Sequence, residues 1–250
     1  MNRLRLSPPL IALLLAIGLF VLGGILRPGF ANSAQAVNIV RLAAFLGVIA
    51  AGQTLVIISG GEGIDLSVGA MVTLGAILVF RIANREDGNI LPALAVTLLV
   101  GTAIGAINGI GVTALGVPPL VMTLGMAGVL QGLILVVTQG ELIGGPAPLM
   151  NVVIARPLIF GIPGIVIIWI VFGLLMWVLL QRTTYGKHLF AVGVNRVTSR
   201  LSGVRVPRTV LMTYTLSGML AALGGFLVLG FTGSVFLNLG DRYLFPSIAA

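Results

Sequence analysis

The sequence predicts an all-α protein, a polytopic transmembrane helical bundle, and three observations carry that prediction. The 250-residue chain is 58% hydrophobic and 8% charged, with a mean hydropathy of +1.17, against about a quarter charged in an ordinary soluble domain. Uncharged apolar runs of about twenty residues recur along it, the length a helix needs to cross a hydrocarbon core. These runs are unbroken rather than alternating, which disfavours a closed barrel, the other backbone-satisfying way to span lipid.

Seven spans can be read in order: Pro9–Leu26, Val37–Ser59, Leu66–Phe80, Ile90–Val112, Leu120–Thr138, Ile162–Leu180 and Thr209–Phe231, with an eighth starting near Tyr243. The first has a longer apolar core than the roughly 7 to 15 residues of a signal peptide, and Arg27-Pro28 follows it. It therefore reads as retained, despite the small residues of Ser33–Ala36. The second and third spans are separated by the glycine cluster "ISGGEGIDLSVGAM", Ile58 to Met71, which holds Glu62 and Asp65. The fourth carries Gly101, Gly105 and Gly109 at every fourth position, and the seventh repeats the spacing with Ser217, Ala221 and Gly225. Small residues four apart let helices approach closely where lipid supplies no hydrophobic drive, so both stripes read as packing surfaces.

Charge sets the orientation. The net charge of +8 is not a nucleic-acid signal here, because in a membrane protein its placement matters more than its sum. Arg3 and Arg5 place the N-terminus in the cytoplasm. Six crossings later the segment 182–208 returns to the same side with six of the fourteen basic residues and no acid.

Inside the spans the polar side chains are nearly all neutral. Gln53, Thr54, Asn108, Thr123 and Gln131 are the candidates to line a pathway. Arg41, Glu62 and Asp65 lie near span ends; Arg41 and Asp65 would stand roughly 36 Å apart on a continuous helix, so they are not expected to pair. Ion-coupled carriers and voltage sensors generally place ionisable groups within the bilayer. Their scarcity favours a pathway for a neutral, hydrogen-bonding solute with energy supplied from outside the bundle. A passive channel would meet the first half of that description. With no cysteine and a single histidine, His188, the chain offers no thiolate or histidine metal cluster and no Ser/His catalysis. An intramembrane enzyme is the most distant alternative, since no paired acids or nucleophile and base are visible.

The basic segment contains a short helix legible from its caps: Asn195 as N-cap, Arg196–Ser202 as body and Gly203 as the C′ stop. Two turns are unstable alone in water, so this helix must dock on its own bundle or on a partner. Val197 and Leu201, four apart, mark one side of it.

Three stretches together resemble the permease subunits of ATP-binding-cassette importers for monosaccharides, the ribose and xylose type. They are "GQTLVIISGGEGIDLSVGAM" (Gly52 to Met71), with the signature at Gly63 to Gly69 that includes Asp65 and Ser67; "GAINGIGVTALGVPPLVMTLGM" (Gly105 to Met126); and "TTYGKHLFAVGVNRVTSRLSGV" (Thr183 to Val204). Their order and spacing fit, and the likeness runs from about Val37 to Phe231. The resemblance implies an ABC-importer permease in the bacterial inner membrane that pairs with a second copy or a paralogue. It implies a cytoplasmic ATPase docked on Tyr185, Gly186, Gly193, Asn195, Arg196, Arg200 and Gly203. A periplasmic binding protein would deliver the solute. No cofactor is expected in this chain; ATP and magnesium belong to the ATPase. The closest rival cargoes on such a scaffold are nucleosides, branched-chain amino acids or an autoinducer. The sequence departs from the family at Glu62, where a small residue is common. It also departs at "DRYLFPSIAA", beyond which the family continues, so the single permease domain 1–250 is expected to be truncated at its C-terminus. On this reading Asp65 caps the third span near water, accepting from Ser67 or Val68, while Gly60, Gly61 and Gly63 reverse the chain.

Overall fold

The computed structural model describes residues 7–159 and 161–250. Its helices are α1 (Pro8–Leu26), α2 (Ser33–Ile58), α3 (Val68–Ala83), α4 (Ile90–Thr113), α5 (Pro119–Thr138), α6 (Pro148–Ile154), α7 (Gly164–Arg182), α8 (Thr184–Val194), α9 (Arg196–Leu201), α10 (Val206–Thr232) and α11 (Asp241–Ala249). Among the described residues five helices are long and apolar enough to cross a membrane, and α1 and α3 are shorter apolar helices. Every span expected from the sequence is present with ends shifted by a few residues. Arg3 and Arg5 lie outside the described residues. Two features between α5 and α7 are not anticipated by the sequence: α6, and a small antiparallel pairing of Pro157–Ile159 with Ile162–Pro163.

The chain divides into two compact units, Met1–Leu42 and Ala43–Ala250, with the division inside α2. In the first, α1 exposes most of its apolar side chains, and Phe30 from the turn after it packs on Phe20 with ring centroids 5.8 Å apart. Asn32 holds the start of α2 by accepting from the Gln35 N–H at 2.8 Å.

The second unit is organised around α10, buried along most of its length and packed on α4 and α3. Glycine makes this possible. A Cβ on Gly101 would fall 2.6 Å from the Gly218 carbonyl oxygen, one on Gly109 would fall 3.0 Å from the Leu211 Cα, and one on Gly105 would collide with the Tyr214 carbonyl. The α4 stripe read from the sequence is therefore the α4–α10 contact. Its counterpart on α10 is Leu211, Thr215, Gly218 and Ala222, while the stripe Ser217, Ala221 and Gly225 packs on other neighbours. That second stripe faces elsewhere: Gly225 lies against α3 at Val72 and Ala76, and Gly52 of α2 backs onto Ser217. A helix at the centre of a bundle needs small residues on more than one side.

The far ends of α3 and α5 are tied through the loops beyond them. Arg81 donates to the Val137 carbonyl, the Gly145 N–H donates to the Phe80 carbonyl at 2.9 Å, and Asp87 accepts from the Leu149 N–H at 2.8 Å at the start of α6.

These contacts set opposite signs for two glycine substitutions. Gly105→Ala forces α4 from α10 and lowers stability by about 1–3 kcal/mol. Gly128→Ala, on an α5 face with open space around it, is neutral or stabilising by up to about 1 kcal/mol through helix propensity. Thermal unfolding of the detergent-solubilised protein reads both.

Candidate functional site

Helix α2 ends at Ile58, and the backbone crosses to α3 through three consecutive residues in the left-handed region: Gly60 (φ 67°), Gly61 (φ 62°) and Glu62 (φ 60°). Two glycines adopt this conformation at little cost, whereas Glu62 carries a penalty of about 1–2 kcal/mol. Gly63 is the next residue because a Cβ there would lie 2.6 Å from the Val56 carbonyl oxygen. The glycine cluster thus folds the chain back on the end of α2.

Asp65 gathers partners from across the bundle. Its Oδ1 accepts from the Ser67 N–H at 3.0 Å and the Ser67 hydroxyl at 2.5 Å. Its Oδ2 accepts from the Ser217 hydroxyl of α10 at 2.9 Å. Ser67 accepts in turn from the Asn108 amide of α4 at 3.0 Å. Gln53 of α2, with its amide oriented to satisfy both partners, donates to the Asp65 carbonyl and accepts from the Asp65 N–H, each at 3.2 Å. Thr123 of α5 donates to the Ile64 carbonyl at 3.2 Å. Four helices therefore converge on one irregular stretch, and the Ile64 carbonyl, both backbone groups of Asp65 and the Ser67 N–H find partners inside the protein. That is the condition for non-helical backbone at membrane depth.

The expected hydrogen bond from the Ser67 N–H to Asp65 is present, but Asp65 is not the N-cap of α3, which has no side-chain cap. Asp65 is 1% exposed, not near water, and Ser67 rather than Asp65 directly precedes α3. Ser217 lies eleven residues into α10, about 16 Å along its axis, which carries the carboxylate into the bundle. A buried carboxylate without a cation is tolerated when hydrogen bonds replace water, and here three do. The fourth signature position, Gly69, serves packing: its Cβ would come 3.3 Å from the Gly240 carbonyl oxygen.

The five pathway candidates separate. Gln53, Asn108 and Thr123, each 0% exposed, belong to the Asp65 network. Thr54 and Gln131 are exposed; Thr54 donates back to the Ala50 carbonyl at 2.8 Å, and Gln131 lies on the open face of α5 with Gly128 and Gly132. The Tyr214 hydroxyl, the Asn108 Oδ1 and the Arg196 Nε are buried without a hydrogen-bond partner. Tyr214 and Ser217 are the residues that sequence reasoning leaves out of the site. Both stand among the polar side chains of the seventh span, and only the fold aims them at the hinge.

The basic segment is two helices, not one. Helix α8 starts at Thr183, which accepts from the Gly186 N–H at 3.2 Å, and buries Leu189 and Val192. Helix α9 has the expected caps: Asn195 accepts from Val197 and Thr198 at 2.9 and 3.0 Å, and Gly203 stands beyond its end with φ 83°. Its body stops at Leu201, one residue early. Val194, Val197 and Leu201 are 89%, 70% and 85% exposed, an apolar edge left uncovered, with Arg200 also exposed. Tyr185 pairs with Thr213 of α10 at 2.9 Å, and Gly186 permits a close approach to the Leu180 carbonyl. Gly193 and Arg196 face the other way, toward the α2 end.

Residues 35–250 match the family described as branched-chain amino acid transport system / permease component. The chain belongs to this family of transport permeases. It is 35% identical over 240 residues to the ribose import permease protein RbsC of Bacillus subtilis (strain 168), covering 94% of this chain and 73% of that protein. It is 34% identical over 212 residues to the autoinducer 2 import system permease protein LsrD of Yersinia pestis (strain Pestoides F), covering 82% of this chain and 62% of that one. No solved structure matches the chain. The family and the five long apolar helices make this a multi-pass membrane permease of the all-α class.

The Asp65 network predicts a specific pattern of losses. Ser217→Ala leaves a buried carboxylate oxygen without its donor and costs about 1–3 kcal/mol. Asp65→Ala combined with Ser217→Ala falls short of the sum of the single losses by about 0.5–3 kcal/mol. Asp65→Asn keeps the fold, because the Ser217 hydroxyl can turn to accept from an amide. Uptake abolished at unchanged stability in Asp65→Asn would give the carboxylate a part in transport beyond holding the hinge.

Proposed function

We propose that the chain is the membrane subunit of an ATP-driven importer that moves a neutral sugar across a bacterial inner membrane. The observation that carries the reading is the uncovered apolar edge Val194, Val197 and Leu201 on a twice-capped helical segment. Water is a poor partner for three such side chains in a row, whereas a docked protein surface buries them. The basic residues of the same segment, Arg200, Arg205 and Arg208 among them, support a cytoplasmic location by the charge rule. The partner is a separate ATPase that binds ATP and magnesium and performs the hydrolysis; this chain contributes no chemical step.

Six passages of the membrane, α1 to α5 and α7, precede α8, so an N-terminus on the cytoplasmic side agrees with that placement. Solute reaches the opposite face on a periplasmic binding protein. The second half of the pathway comes from another permease copy or a paralogue, against which Gln131 and the open glycine face of α5 would lie. The near absence of charge in the spans suits a hydroxyl-rich neutral solute. The ribose and autoinducer 2 named for the two relatives favour such cargo over a zwitterionic amino acid.

Val197→Asp and Leu201→Asp test the docking surface. Each should abolish co-purification of the ATPase and ATP-dependent ribose uptake in proteoliposomes containing the binding protein, while leaving the melting temperature of the permease alone within about 0.5 kcal/mol equivalent. Uptake that persists without ATP and without the ATPase would favour a channel or an ion-coupled carrier instead.

A further inference from the structure

Arg196 is the first residue of α9, yet its guanidinium does not point to the exposed side of the segment. Its Nη2 donates to the Gly60 carbonyl at 2.9 Å and to the Ser59 carbonyl at 3.4 Å. Ser59 and Gly60, whose carbonyl also accepts from the Gly63 N–H at 3.3 Å, are the first residues beyond α2, at the negative pole of the helix, and a guanidinium is a suitable group to cover their carbonyls. Gly61 makes room for it: a Cβ there would lie 2.5 Å from Nη2. One helix turn earlier, Gly193 lets the end of α8 press on the Ile58 carbonyl, where any side chain would collide. The end of α2 is thus covered by two adjacent pieces of the cytoplasmic segment.

The left-handed turn begins at Gly60 and leads directly to residues 64–67, where Ile64 is tied to α5, Asp65 to α2 and α10, and Ser67 to α4. A displacement of α9 must therefore either carry the turn with it or break the Arg196 contact. We propose that Arg196 is a positioning residue that transmits movement of the α8–α9 segment to the α2–α3 hinge, rather than a contact to the ATPase. The inference rests on the importer reading above. It divides the segment by role: Val194, Val197 and Leu201 outward to the partner, Arg196 and Gly193 inward to the pathway.

The test uses the complete complex with ATPase and binding protein in proteoliposomes, measuring ribose uptake and ATP hydrolysis together. Arg196→Ala should leave the ATPase bound and hydrolysing but lower solute moved per ATP about tenfold, the size expected for loss of one coupling contact. Gly61→Ala, which displaces the guanidinium from the opposite side, should give the same defect, and the double variant should be no worse than either single. Arg196→Lys, retaining a charge without the planar fork, should fall between. Gly116→Ala introduces alanine at a similar backbone angle, φ 67°, with open space around it, and should leave the ratio unchanged. Wild-type ratios in Arg196→Ala and Gly61→Ala would overturn the inference alone, as would loss of the ATPase on purification of Arg196→Ala. Absence of ATP-dependent uptake by the wild-type complex would overturn the importer reading and this inference with it.

Discussion

A helix interrupted inside a membrane protein exposes peptide groups that lipid cannot satisfy, and the arrangement of this permease depends on how those groups find hydrogen-bond partners at residues 59–67. Ser59 and Gly60 give their carbonyls to Arg196. Ile64 gives its carbonyl to Thr123, and Asp65 exchanges both backbone groups with Gln53. The carboxylate then gathers Ser67 and Ser217. Apart from Ser67, which belongs to the stretch itself, each partner comes from a different helix, so these contacts require α2, α5, α9 and α10 all to be in place. A local irregularity becomes the point where the bundle and the α8–α9 segment are joined.

Close packing makes the junction rigid on its membrane side. Helix α10 supplies Ser217 to the hinge, and it sits near enough to do so because glycines remove the side chains that would hold α4 and α3 away. The positions that meet α4 and those that meet α3 and α2 lie on different sides of the same helix. A single small-residue face could not have served all three neighbours. Toward α8 and α9 the end of α2 is held by the Arg196 guanidinium and the Gly193 contact, and by apolar clusters in which Val56 joins Val192 and Leu55 joins Leu189.

Much of this is legible in the sequence, and the division between legible and illegible is physical. The spans can be read because burial in lipid is a property of composition over about twenty residues. Both caps of α9 can be read because Asn195 and Gly203 act within three residues of themselves. The Asp65–Ser67 hydrogen bond can be read for the same reason, although Ser67 and not Asp65 is the residue that directly precedes α3. The Ser217 contact, 152 residues away, leaves no local trace. The inward turn of Arg196 cannot be distinguished from a solvent-facing arginine, since it depends on where α2 ends in space. Helix α8 escapes the sequence reading although Thr183 and the apolar pair Leu189 and Val192 are an ordinary helix start and buried side. The caps and charges of the segment single out α9 alone. Thr54 and Gln131 group with Gln53 and Asn108 by polarity; the fold divides them because neighbouring positions on a helix face different directions.

If Arg196 couples them as proposed, the α2–α3 break and the α8–α9 segment behave as one mechanical unit. Hydrogen exchange on the assembled complex, compared with and without ATP bound, measures this directly at the amides of residues 60–67 and 193–203. Protection is expected to change in both stretches together when nucleotide binds. A response confined to 193–203, with the hinge amides unchanged, would contradict that coupling.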